Sequence, residues 1–512
     1  MPKRTFIYGA VVLLVANLLN RILGFVYQYL IMSHIGGESL GLFNMVFPVY
    51  MMALVLTTAG IPLALSKMVA EERSKGSPEK AAAIFHLVLK ILTFSGLTVS
   101  ALLYLLSPYL SGKIFSDPRV QQIFLICIPA IFIVSVASAF RGYFQGLQNM
   151  FPTAISQICE QLVRVSLGFY LSYHLLHRGA EWAAVGLALG MLAGELIGLA
   201  VIALNYFFRR SNIGLRGKKV KAPDKTLSRL FNMAYPVTLG RLLSTGISSL
   251  DAIIIPQRLH TAGFTAKEAT TLFGQLGGSA FTLLNFPSVF TAALATSLVP
   301  SISEAAAKNH MQTVRSQSSE AMRLTIIFGI PCLLIIYHYA EAMTLFFKSP
   351  AVAPVLQILT LGGIFIYLQQ TSSGILQGLG KMQLPVIHSI ISALVRIPTM
   401  YVLTGIPDMN LKGVAWAYVL GAVIMSVLNI RSIIQYSGLA LDLQRFILQP
   451  VSAGIGMLIV FQLTGRLGLS MLPNLLLTLL PGLSVYFIIL YKNGGISRSE
   501  LKHLPWIGKY LR

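Results

Sequence analysis

"GYFQGLQNMFPTAISQICEQLVR" occupies Gly142–Arg164, and "GILQGLGKMQLPVIHSIISALVR" occupies Gly374–Arg396, 232 residues later. Ten of the 23 aligned positions are identical, among them Gln145/Gln377, Met150/Met382 and Arg164/Arg396. Each copy ends an apolar run, makes a short turn, starts another apolar run and places an arginine within it. A phrase written twice at this distance points to a duplicated unit. An arginine inside an apolar run needs a reason, because a charged side chain at the centre of a bilayer costs at least ~2.5–3.5 kcal/mol.

The surrounding composition makes the apolar runs membrane spans. The chain has 512 residues, 55% hydrophobic and 11% charged, against about 25% charged in soluble domains. Runs long enough to cross ~30 Å of hydrocarbon fall at roughly 5–32, 42–66, 81–107, 120–140, 152–176, 182–207, 230–256, 271–300, 322–347, 352–378, 384–405, 411–435, 446–465 and 470–491, fourteen in all. The first run is too long for a signal-peptide core, and no small-residue cleavage site follows it, so it is expected to be a retained helix. The three cysteines, Cys127, Cys159 and Cys332, are scattered in apolar helices and suggest neither a disulfide framework nor a metal site.

The net charge of +22 is explained by topology rather than by nucleic acid. With the N-terminus in the cytoplasm, 26 of the 39 Lys and Arg fall on cytoplasmic segments and helix ends, eight on outer loops and five inside apolar runs. That asymmetry predicts both termini in the cytoplasm. The richest loop, Arg209–Arg229, holds eight basic residues. It reads as a topology signal and a linker, with anionic lipid heads as its alternative partner.

The repeat extends beyond the opening phrase. "LNRIL" around Arg21 answers "LGRLL" around Arg241, and Pro48 and Pro62 answer Pro287 and Pro300. Spans 1–6 and 7–12 therefore read as two copies in the same orientation, a parallel repeat typical of alternating-access transporters. The expected fold is all-α: two pseudo-symmetric six-helix lobes, 1–208 and 230–437, a basic cytoplasmic linker at 209–229, and a C-terminal hairpin with a cytoplasmic tail at 438–512. The paired prolines are expected hinges. Gly186, Gly190, Gly194 and Gly198 recur every four residues and form a stripe for close helix packing.

Five basic side chains lie within the spans, Arg21, Lys90, Arg164, Arg241 and Arg396, against three acidic ones, Glu160, Glu195 and Asp251. Glu160 and Arg164 share a helix face and can pair. Arg396 has Ser392 at the position matching Glu160, with His388 further along. Asp251 is ten residues from Arg241, roughly 15 Å along a helix, too far for direct pairing. The basic excess suits an anionic guest, and guanidinium forks suit phosphate. Arg21, Arg164, Arg241 and Arg396 are the expected substrate-binding residues of a central cavity. Glu160, Glu195, Asp251 and His388 are candidates for ion coupling or charge pairing. No cofactor, metal site or nucleic-acid partner is expected, and the loops show no nucleotide loop, Asp-rich metal motif or nucleophile–base set of an enzyme.

The opening "RTFIYGAVVLLVANLLNRILGFVYQYLIMSHIGGESLGLFNMVFPVY", the following "GIPLALSKMVAEE" and the repeated phrase resemble the stage V sporulation protein B-like flippases. These form a polysaccharide-transporter branch of the multidrug/oligosaccharidyl-lipid/polysaccharide (MOP) flippase superfamily, near the lipid II flippases. The resemblance spans essentially the whole chain. It implies a V-shaped, two-lobe flippase of undecaprenyl-pyrophosphate-linked precursors for spore cortex peptidoglycan, with membrane lipids and cell-wall synthesis proteins as partners. It implies functional arginines at Arg21 and Arg241 and a lipid-tail groove on spans 13 and 14. The acidic residues that drug-exporting relatives use for cation coupling are not clearly reproduced; the drive is either H+ or Na+ at Glu160, Glu195, Asp251 and His388, or the membrane potential acting on an empty cationic cavity. A cation-coupled multidrug exporter of the same superfamily and a non-transporting scaffold for cortex synthesis are the alternatives.

Overall fold

The computed structural model describes residues 3–58, 60–113, 115, 117–209, 223, 225–440, 442–465 and 471–495. Most of the basic linker 209–229 and the whole tail beyond 495 lie outside them. The described residues form helices joined by short turns, without a strand. Two compact units result, the first Met1–Ser279 with Phe347–Ser349 and Gly405–Asp408, the second Ala280–Phe346, Pro350–Thr404 and Met409–Arg512.

The first unit contains α1 (Lys3–His34), α2 (Gly37–Thr58), α3 (Ile61–Ser74), α4 (Pro78–Lys113), α5 (Val120–Gly146), α6 (Phe151–Leu175), α7 (Ala180–Arg209), α8 (Thr226–Thr261) and α9 (Ala266–Gln275). The second contains α10 (Thr282–Asn285), α11 (Ser288–Ala307), α12 (Met311–His338), α13 (Ala340–Phe346), α14 (Ala353–Gly378), α15 (Gln383–Thr404), α16 (Asn410–Ser437), α17 (Gln449–Gly465) and α18 (Met471–Lys492). A π-helical turn, Leu276–Phe281, follows α9, and the division between the units falls within it.

Eleven helical stretches among the described residues are long and apolar enough to cross a membrane. The first, fifth and fourteenth expected spans are helices as well, α1 of 32 residues, α6 of 25 and α18 of 22, but they are not among the eleven. In α6 the reason is chemical: Gln157, Glu160, Gln161 and Arg164 crowd one stretch and lower its hydropathy.

The repeated phrase folds the same way in both units. After α5, Gln148 adopts φ 57° while its N–H reaches the Gln145 carbonyl and the Asn149 N–H the Phe144 carbonyl. After α14, Gly380 adopts φ 74° while its N–H reaches the Gln377 carbonyl and the Lys381 N–H the Leu376 carbonyl. These are the same two backbone bonds at the same offset of 232, closing the helix through a left-handed residue. The paired glycines do matching work. A Cβ on Gly142 or Gly146 would press on Pro62 and Ser66 of α3, and one on Gly374 or Gly378 on Ala295 and Ile302 of α11.

In a membrane, close packing rather than hydrophobicity holds helices together. The glycine stripe of α7 shows how: Gly186 faces Ser172, Gly190 faces Gly168 and Gly194 faces Glu160, each with no room for a Cβ against α6, and a Cβ on Gly198 would crowd the Glu160 side chain. Aromatic rings fill the layer beside it, Phe85 stacking 4.6 Å from Tyr143 and 5.0 Å from Tyr206. In the second unit Ile302, Met322, Ile375 and Ile433 form one core, and Phe461, Tyr486 and Leu490 join α17 to α18 in another.

The helix α8 packs within the first unit. Thr238 accepts a hydrogen bond from the Gly60 N–H at 3.1 Å in the break between α2 and α3, and Arg229 pairs with Glu71 at 2.7 Å. The next helix, α9, begins with a capping box in which Thr265 and Glu268 satisfy each other's backbone N–H. It lies directly on α2: a Cβ on Gly41 would strike the Thr270 carbonyl, and one on Gly274 the Gly37 carbonyl. Of the four expected hinge prolines, Pro62 and Pro287 start helices after breaks, while Pro48 and Pro300 lie inside α2 and α11.

Candidate functional site

Four charged side chains of the first unit, three of them half-buried and Glu195 buried, gather into one cluster. Glu160 and Arg164 stand one turn apart on α6 and pair at 2.8 Å. The same Arg164 nitrogen reaches Glu195 on α7 at 2.7 Å. The other Glu160 oxygen takes Arg141, from the end of α5, at 2.6 Å. Gly194 and Gly198 make this possible, since they leave the space into which the Glu160 and Arg164 side chains lie. Two guanidinium groups facing two carboxyl groups offset one another's charge, which lowers the cost of placing them there. The sequence reading paired Glu160 with Arg164 but counted Arg141 among cytoplasmic helix ends. Its position, directly before the repeated phrase and 19 residues ahead of Glu160, gave no periodic signal of the pairing.

Arg396 on α15 takes a different environment. Only 8% exposed, it lies 4.4 Å from the ring centre of Tyr418 on α16 in a cation–π contact. Ser392 donates to the Gly421 carbonyl at 2.7 Å. His388 Nδ1 and Asn429 Oδ1 are 2.7 Å apart, and Asn429 donates to Ser372 and Ser373 at 3.0 and 3.1 Å. His388 and Asn429 are buried, as is Asp251 on α8.

Arg21 on α1 and Arg241 on α8 are exposed, and no described residue forms an ion pair with either. Thus the four expected arginines divide: Arg396 is buried and Arg164 is half-buried and ion-paired, each within its own unit, while Arg21 and Arg241 are exposed. No group of His, Cys, Asp and Glu among the described residues could hold a metal ion.

A second ionic cluster lies between the spans of the first unit. Asp117 and Arg119, just before α5, bind each other at 2.7 Å; Arg119 also holds Glu38 at the start of α2 at 2.6 Å. Thr270 of α9 donates to Asp117 at 3.3 Å, and Lys267 approaches Glu38 at 3.7 Å. Burial disfavours the Asp117 carboxylate, but hydrogen bonds from the Arg119 side chain and backbone outweigh it and hold its pKa below the ordinary range. The sequence reading saw Arg119 and Lys267 only as outer-loop charges.

Among the described residues the second unit holds an apolar cavity and a polar one. The apolar one, about 710 Å³, is lined by α12, α14 and α17, including Ile326, Leu333, Phe365, Val451 and Leu458. The polar one, about 440 Å³, lies between α11 and α14.

Comparison with known proteins follows this architecture. The family described as "Polysaccharide biosynthesis protein" matches residues 6–306, and the MatE family matches residues 277–402. Stage V sporulation protein B of Bacillus subtilis (strain 168) is 31% identical over 523 residues, covering 100% of both chains. Lipid II flippase MurJ of the same organism is 27% identical, covering 76% of this chain and 75% of its own. An inward-facing multidrug resistance MATE family transporter of the MOP superfamily superimposes with a TM-score of 0.68 at 15% identity, covering 82% of this chain and 95% of its own.

Proposed function

Since the chain belongs to the polysaccharide biosynthesis protein family of the MOP superfamily, we propose that this multi-pass membrane transporter, which is not an enzyme, flips undecaprenyl-pyrophosphate-linked cell-wall precursor by alternating access. Its product feeds spore cortex peptidoglycan. The observation that carries this reading is the pair Arg21 and Arg241. They stand at matching places of "LNRIL" and "LGRLL", remain exposed on apolar helices, and have no ionic partner among the described residues. Exposed guanidinium groups in that setting fit the oxygens of a pyrophosphate.

The rest of the proposal follows. The chain crosses the bacterial plasma membrane fourteen times with both termini in the cytoplasm, as its basic loops require. Residues 1–208 and 230–437 are two repeats of one lobe. The prolines at the breaks before α3 and α11 let those helices bend. The apolar cavity beside α17 accepts the polyprenyl chain. Either a proton or sodium ion at Glu195, whose second oxygen has no hydrogen-bond partner among the described residues, or the membrane potential, at ~2.3 kcal/mol per charge per 100 mV, supplies the drive.

Reconstitution into vesicles with labelled undecaprenyl-pyrophosphate-linked precursor tests this reading. Wild-type protein is expected to exchange the label between leaflets. Arg21→Ala or Arg241→Ala should slow exchange about tenfold or more, the worth of one charge-assisted hydrogen bond, with folded protein still in the membrane. Wild-type rates in both variants would overturn it. Exporting cationic drugs, the second reading, is favoured by the MATE-type fold and requires drug efflux in the same vesicles without precursor exchange.

A further inference from the structure

The polar cavity of the second unit lies between two helix faces. From α10 and α11 come Asn285, Ser288 and Thr296; from α14 come Gln369, Ser373 and Gln377. The spacing is that of one helix face: Gln369, Ser373 and Gln377 follow at steps of four. At the floor the helices nearly touch, because a Cβ on Gly374 would press against Ala295. The walls then part to leave about 440 Å³, at the small end of ordinary ligand pockets.

Two features of this lining decide what it fits. First, it contains no Asp, Glu, Lys, Arg or His. A phosphate would find no cation there, and a cationic drug no carboxylate. Second, its carboxamide groups are available, whereas the hydroxyls of Ser288, Thr296 and Ser373 already donate to helix carbonyls and keep only acceptor capacity. The side chains of Asn285, Gln369 and Gln377 have no partner among the described residues. Gln370, also in the wall, accepts from Thr291 through Oε1, which leaves its amide hydrogens to donate. Ser373 is fixed from behind by Asn429. Carboxamides both donate and accept. A neutral wall of such groups is complementary to a molecule dense in hydroxyl and amide groups.

The internal repeat sharpens the contrast. With the offset of 232, Ser373 stands where the first copy has Arg141, and Ser392 where it has Glu160. The first copy spends these positions on an ion pair; the second keeps them neutral. We propose that the α11–α14 cavity is a binding site for a neutral, N-acylated saccharide, held by Asn285, Gln369, Ser373 and Gln377. This rests on the reading of the chain as a carrier of lipid-linked glycan, and it assigns the sugar and the pyrophosphate to different residues.

The test needs no transport. The full-length protein, purified in detergent, is titrated calorimetrically with a soluble N-acetylated disaccharide that carries neither lipid nor phosphate. Saturable binding is expected, unaffected by excess inorganic pyrophosphate. Gln369→Leu with Gln377→Leu should weaken it about tenfold, as the loss of two neutral hydrogen bonds predicts. Gln377→Ala alone, at an exposed position, should weaken it by a smaller factor in a protein of wild-type melting temperature. Arg21→Ala should leave it unchanged. Absence of saturable binding, wild-type affinity in both glutamine variants, or competition by pyrophosphate would each overturn the site. Leaflet exchange of the lipid-linked precursor is a separate measurement, so the flippase reading fails or stands independently.

Discussion

Arg164 and Arg396 carry the same charge at matching places of the repeat, and their neighbours decide what each can do. Arg164 is neutralised by Glu160 and Glu195, with Arg141 completing the set. Breaking a buried pair costs about 3–5 kcal/mol, whereas replacing the whole pair with apolar groups is nearly neutral. Glu160→Gln is therefore expected to lower the melting temperature sharply, and Arg141→Met with Glu160→Met to recover most of the loss, as thermal unfolding in detergent will measure. The left-handed turns make a cleaner pair. Gly380 has no neighbour within 4 Å of a would-be Cβ, so Gly380→Ala should cost only its backbone strain, about 1–2 kcal/mol. Gln148→Gly, at the twin position, should gain a similar amount. The charges were legible in the sequence because they interrupt apolar runs. Of their partners, the one on the same helix was legible, Glu160 four residues before Arg164; Arg141 and Glu195 were not, because they reach the cluster from other helices.

At the scale of elements, glycine spacing was the most readable feature. The every-fourth pattern of α7 announced a close contact, and α6 fills it. Gly194→Leu should separate α6 from α7 and dismantle the charge cluster, visible as loss of a monodisperse folded peak. The approach of α9 to α2 was not announced, because Gly37 and Gly41 share one face of α2 while their counterpart Gly274 stands alone on a separate helix. The outer ionic cluster was equally hidden: its members are single charges on separate turns. Asp117 has a pKa below its unfolded value, about 3.9, so its stabilisation is complete above that value and is lost only as pH falls through the lower, folded one. Hydrogen exchange of Ala266–Gln275 should consequently be protected alike from about pH 5 to 8. Asp117→Asn should raise exchange there throughout that range.

For the whole molecule, the all-helical membrane class was evident from composition, and the matching turns after α5 and α14 from one repeated phrase. The span count was less so: a helix such as α6, which carries its polar residues inward, weakens the signal that counts it. The packing of α8 with α2 and α3 had no mark in the sequence either, since it depends on the small gap at Gly60 rather than on any periodicity. Topology can be checked directly. With Cys127, Cys159 and Cys332 replaced, Lys75→Cys should react with an impermeant thiol reagent only from the cytoplasmic side, and Thr261→Cys only from outside. The meeting of α2 and α9 has a mechanical corollary. Where main chain rests on main chain, no rotamers lie between to yield a little at a time, so that seam is either seated or parted. Any working cycle that opens it should proceed in steps, and a distance reporter across the seam should jump between two values without lingering between them.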